Sequence, residues 1–156
     1  MRRGQAMVES VLAVIFVTFV LFFSIYIARM LTAKILVDHA AARAARARAV
    51  GLNDFMCVKS ARVAMIPVAG RSILPEAEIS TAAELGRIPI YLASEHPARA
   101  RAILDYEWWG NSSLSMAETH GIVPTIDAET SLATDTFSVN GSASIESHYP
   151  LYMNEF

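Results

Sequence analysis

From Val11 to Ala28 the chain reads VLAVIFVTFVLFFSIYIA, with no charge, no proline and no glycine. Eighteen residues at about 1.5 Å each make a helix roughly 27 Å long, close to the hydrocarbon thickness of a bilayer. A helix that is apolar all round must be covered on every side. The stretch is longer than the apolar core of a secretory signal peptide, and IARMLTAKILVDHAAARAARARAV follows it with no small-residue cleavage site in a loop. The segment therefore reads as retained.

The helix extends well past the apolar run. Between Gln5 and Val50 there is neither proline nor glycine, and alanine, leucine, arginine and methionine are frequent. Gly51 supplies a C-terminal stop. These bounds predict one helix over 5–50, about 70 Å long, with a membrane span over 10–28. A chain of 156 residues cannot bury that length in its own globule. The first half belongs in lipid or against copies of itself, and the alanine-rich second half can lie on the remaining domain. Residues 51–156 are enough for one small core. The fold class expected is α+β: a long N-terminal helix, membrane-spanning in its first half, and a small C-terminal α+β head containing an antiparallel sheet.

Within the head, ARVAMIPVAG fits a strand or the end of a short helix. STAAELG reads as a short helix capped by Ser80 or Thr81 and stopped by Gly86, and IPIYLA as a strand. SEHPARARAILDYEWWG reads as a helix from Ser94 to Gly110, with Pro97 in its first turn and with Ala100, Ile103, Leu104 and Trp108 on one face. Of Trp108 and Trp109, about 100° apart on such a helix, at most one is central to the core. SLSMAETHG is a candidate strand. Asn140-Gly141 between alternating runs signals a hairpin. A three-residue loop over 140–142 would pair Val139 with Ala143 and Phe137 with Ile145, giving one apolar face.

Charge is divided along the chain. Residues 1–50 carry seven basic and two acidic groups; residues 51–156 carry six basic and thirteen acidic groups. Such asymmetry points to an acidic membrane surface or nucleic acid as partner, or to one subunit's basic stalk meeting another's acidic head; the plainer reading is that both halves are solvated. His39, Arg43 and Arg46 share a helix side at i, i+4, i+7. They are candidates to meet Glu76, Glu78, Asp105 or Glu107 on the same or a neighbouring head; a solvated stripe is the plainer reading.

Catalysis has little to stand on. His39, His96, His120 and His148 lie far apart, the single Cys57 allows no intrachain disulfide, and no glycine-rich phosphate loop, nucleophile elbow or HExxH occurs. No enzyme activity, cofactor, metal or nucleic-acid partner is expected. Sequons at Asn111 and Asn140 are short enough to arise by chance.

The opening RRGQAMVES carries more. Two arginines precede Gly4, Glu9 is the fifth residue after it, and the apolar run begins at once. A carboxylate drawn into lipid costs several kcal/mol, so its place at the mouth of a span calls for a reason. The arrangement resembles the class III signal of type IV pilins and pilin-like proteins. RGQAMVE, with HAAARAARARAV further on and HYPLY near the end, looks most like the TadE-type proteins of tight-adherence systems. The resemblance covers residues 1–50 well and little beyond. It implies a leader over 1–4, cut by a prepilin peptidase between Gly4 and Gln5. It also implies a structural subunit of a type IV or Tad-like pilus, supporting adhesion or secretion, that polymerises with itself or other pilins. Its further partners would be the bilayer before assembly and a membrane assembly platform with its ATPase. The chain would pass from a single-pass inner-membrane protein to a cell-surface filament. Glu9 would meet the free amine of Gln5 in a neighbouring subunit. Ala6, Ser10 and Ala13 form a small-residue ridge for close helix approach, and Phe16, Phe19, Phe23 and Tyr26 an aromatic stripe for packing. The alternative needs neither Gly4 nor Glu9: a single-span membrane protein with a periplasmic sensor or binding domain that does not polymerise.

Overall fold

The computed structural model describes residues 2–74, 81–119 and 124–147, with side chains from Met7 onward except those of 81, 82 and 84. The chain divides into two compact units, Met1–Thr32 and Ala33–Phe156. Helix α1 (Arg2–Ala49) supplies the first and opens the second. After it come α2 (Asp54–Ala64), a 3-10 turn (Ile66–Val68), β1 (Ser72–Leu74), α3 (Thr81–Ala93) and α4 (Pro97–Ile103). β2 (Asp105–Tyr106), a second 3-10 turn (Glu107–Asn111), β3 (Ser112–Thr119), β4 (Thr125–Ala133) and β5 (Ser138–Glu146) complete the order. The fold class is α+β, as expected.

The second unit is organised by the alanine-rich end of α1. Ala33, Val37, Ala40 and Ala44, at i, i+4, i+7, i+11, are buried together with Ala41 and Ala45. They face an antiparallel sheet of order β3-β4-β5, whose inner side contributes Ile126, Ala128, Leu132 and Val139. Methyl-sized side chains let helix and sheet approach closely, and Gly141 shows how closely. A Cβ there would lie 2.6 Å from the backbone of Val37 and Asp38. α1 ends in a Schellman motif: Gly51 has φ +86°, its N–H donates to the Arg48 carbonyl, and that of Leu52 donates to the Ala47 carbonyl. Arg48 pairs with Asp54 (2.9 Å) and Glu118 (2.7 Å), tying this helix end to α2 and β3.

A second cluster lies among α2, α3 and α4. Trp109 is buried against Tyr91 and Tyr106, with ring centroids 5.5 and 4.8 Å away. Lys59 is 1 % exposed. Its ammonium donates to the Leu92 and Ser94 carbonyls, so a cation caps the end of α3, where carbonyls lack helical partners.

Several local expectations are corrected here. IPIYLA is not a strand. It continues α3 through Gly86 and Pro89 to Ala93, because Ile88, Tyr91 and Leu92 pack inward at helical spacing while Ile90 is 58 % exposed. The stretch from Ser94 to Gly110 is a helix only over Pro97–Ile103, capped by His96, whose Nδ1 accepts from the Ala98 N–H. Pairing with β1, Ser72↔Tyr106 and Leu74↔Asp105, takes the chain into β2 instead. Ala100 and Leu104 share the second cluster, but Trp108 leaves their face and covers Gly70, and Trp109 takes the central place. ARVAMIPVAG closes α2 and then forms the 3-10 turn. Of the caps expected for α3, Ser80 and the Thr81 side chain lie outside the described residues.

Asn140-Gly141 makes no hairpin. β5 runs straight through it, pairing Asn140 with Ser131 and Gly141 with Thr130, and Gly141 has no positive φ. The turn is Thr134–Phe137, closed by the Thr134 hydroxyl, which donates to the Phe137 carbonyl (2.9 Å) and accepts from its N–H (3.2 Å). The expected pairing is therefore replaced by Val139↔Leu132, Ala143↔Ala128 and Ile145↔Ile126. Phe137, Val139, Ala143 and Ile145 do share one side, as alternation requires.

Candidate functional site

The first unit is the candidate assembly surface. Its best 18-residue window has a mean hydropathy of 2.8 and is 0 % buried. Every large apolar side chain from Met7 to Ile27 is exposed, Met7 and Phe16 by 72 % and 68 %. By length and composition this helix can cross a membrane. Its serine and threonine hydroxyls are satisfied within the helix. Thr18 donates to the Val14 carbonyl and Ser24 to the Val20 carbonyl, both at 2.8 Å, and Thr32 to the Ala28 carbonyl at 2.9 Å. Such back-bonding removes the cost of carrying a hydroxyl into lipid. Ser10 likewise donates to the Met7 carbonyl (2.9 Å).

That leaves Glu9 as the one charged side chain between Met7 and Ala28; it is exposed and has no ion-pair partner among the described residues. Ser10 and Ala13 are exposed beside it, one and four residues on. Gly4, Gln5 and Ala6 lie in the helical backbone, which begins at Arg2 rather than Gln5; their side chains are outside the described set. On the aromatic stripe, Phe19 and Phe23 are stacked, with centroids 6.4 Å apart and planes 6° from parallel. Phe16 and Tyr26 continue that side, both exposed.

His39, Arg43 and Arg46 belong to the second unit. His39 and Arg46 are exposed and Arg43 is half-buried. None of them forms an ion pair among the described residues; Arg48 does so instead. Asp105 and Glu107 are turned to local work: Asp105 accepts from the Tyr106 N–H and Glu107 from the Arg71 N–H. Glu76 and Glu78 lie outside the described residues.

Sequence reasoning missed Lys34 and Asp38. Lys34 binds the Asp38 carboxylate (2.7 Å) and the Asn140 carbonyl (2.7 Å), and the Ser142 N–H reaches Asp38 (3.3 Å). The outer edge of β5 is thus closed against further pairing by an ion pair on α1. The i, i+4 spacing was visible; what it would guard was not.

Comparison with known proteins matches residues 4–46 to the model of the TadE family, described as TadE-like protein. No curated protein and no solved structure matches the chain. The matched segment contains Gly4, Glu9, the apolar run and the basic stripe, and over that segment the chain is similar to the TadE-type pilin-like proteins.

Proposed function

We propose that this chain is a structural subunit of a tight-adherence pilus, held in the inner membrane by α1 and assembled through the same helix. The observation that carries the reading is the first unit itself. Its run from Val11 to Ala28 is uncharged and exposed, its serine and threonine hydroxyls are satisfied within the helix, and a single carboxylate stands at its mouth. A plain anchor gains nothing from Glu9, which at the centre of a bilayer would cost about 2.5–3.5 kcal/mol. A subunit gains register. As helices leave lipid for a packed bundle, a carboxylate is tolerated only opposite a cation, and the α-amine of Gln5 exposed by leader removal is the nearest in sequence. Ser10 and Ala13 let the neighbour approach, and the phenyl rings fill the contact. The partners that follow are a prepilin peptidase, an assembly platform and its ATPase; the chain itself performs no catalysis.

The test is Glu9→Ala beside Glu9→Asp. Filament yield is expected to fall at least about tenfold in the alanine variant, the loss of roughly 1.4 kcal/mol or more per contact, while membrane content is unchanged. Aspartate is expected to restore part of it. Normal filaments from Glu9→Ala would remove the inter-subunit role.

A further inference from the structure

The second unit presents two oppositely charged surfaces on its opposite sides. The outer side of the sheet carries Ser113 and Ser115 on β3, Asp127, Glu129 and Ser131 on β4, and Asn140, Ser142 and Ser144 on β5. Among the described residues this side bears no lysine, arginine or histidine. Glu129 stands between Ser115 and Ser142 across the strands. A hollow of about 510 Å³ opens there, lined by Ser113, Ser115, Glu129, Ser131, Asn140 and Ser142. One carboxylate in a ring of hydroxyl and amide oxygens suits a guanidinium, which is planar and donates in several directions.

The other surface is the side of α1 turned away from the sheet. Where Ala33, Val37, Ala40 and Ala44 face inward, the positions half a turn round are Ile35, His39, Ala42, Arg46 and Val50. Ile35 and Val50 are 67 % and 75 % exposed, and His39 and Arg46 are exposed between them. This stripe is about 22 Å long, and the nine residues of β4 span roughly 30 Å. Asp127 and Glu129 project about 7 Å apart along the strand; His39, Arg43 and Arg46 follow at axial steps of roughly 6 and 4.5 Å. Charge, length and charge spacing correspond.

We propose that the outer sheet face of one copy receives the α1 stripe of a second copy, with Arg46 of the incoming chain seated against Glu129. Because the two surfaces differ and lie on opposite sides, the contact is heterologous and each copy keeps one of each free, so the arrangement extends rather than closing on a dimer. This inference rests on the reading of the chain as an assembling subunit and adds a contact that the N-terminal helix does not supply.

The experiment uses full-length chains with two different tags, co-expressed and co-purified in mild detergent, with filaments counted separately. Arg46→Glu on both copies, or Glu129→Arg on both, sets like charges face to face and is expected to lower co-purification about tenfold or more. Arg46→Glu on one copy and Glu129→Arg on the other is expected to restore it, because both contacts between unlike copies are again opposite in sign while like copies repel. Loss in both single variants without rescue by the mixture would overturn the contact. So would loss in Arg46→Glu alone, which would assign the stripe to anionic lipid. Wild-type behaviour of both single variants, with filaments present, would remove this contact and leave the subunit reading standing; absence of wild-type filaments and co-purification would remove the subunit reading itself.

Discussion

Gly141 shows what a single residue decides in this protein. Beside Asn140 it has the composition of a tight turn, yet its role is to have no side chain. β5 comes so near α1 that a Cβ would stand 2.6 Å from backbone atoms of Val37 and Asp38, and backbone cannot step aside as a flexible side chain can. Gly141→Ala is therefore expected to destabilise the second unit by about 1–3 kcal/mol, the usual range for overpacking. A lowered thermal midpoint of the full chain in detergent checks this; an unchanged or raised midpoint would mean that helix and sheet are not so closely packed. The dipeptide was legible and its meaning was not, because local turn chemistry and long-range approach both select glycine.

Among the elements, legibility followed the length and simplicity of the pattern. α1 was readable almost to its ends, since an unbroken run without glycine or proline has no competing structure and Gly51 stops it as expected. The side that α1 buries in the second unit was not readable, because alanines occur all round it. α3 was divided wrongly at Gly86 and Pro89. Two helix breakers were outweighed by Ile88, Tyr91 and Leu92 packing inward and by Lys59 holding the end carbonyls. Lys59→Met is expected to cost about 1–3 kcal/mol by leaving the Leu92 and Ser94 carbonyls without that donor. Its pH dependence has a definite sign. Burial pushes the Lys59 ammonium below the usual lysine range, so between that lowered value and about 10.5 the unfolded chain holds a proton that the folded one lacks. Lys59 thus contributes stability that rises with pH across the window, and the difference between wild type and Lys59→Met is expected to widen there. Thermal midpoints of both proteins between neutral pH and pH 10 measure it; a constant difference would show that Lys59 is not desolvated.

On the scale of the whole molecule, the division into a basic first third and an acidic remainder finds a structural counterpart. Within the second unit His39 and Arg46 stand on the side of α1 turned away from the sheet, and the carboxylates Asp127 and Glu129 stand on the outside of the sheet. The charge asymmetry was visible in the sequence, but the pairing partners were not, since Asp127 and Glu129 gain their common face only through strand alternation. The family likeness of the first unit was legible, because in RRGQAMVES and the run behind it the signal is the local pattern itself. The central claim is that this N-terminus is a processed assembly helix. The measurement that tests it most directly is the intact mass and N-terminal peptide of the protein recovered from cells and from filaments. A chain beginning at Gln5, with or without a methyl group on its amine, is the predicted result. A chain still beginning at Met1 in purified filaments would contradict it, since the amine proposed to meet Glu9 would not exist.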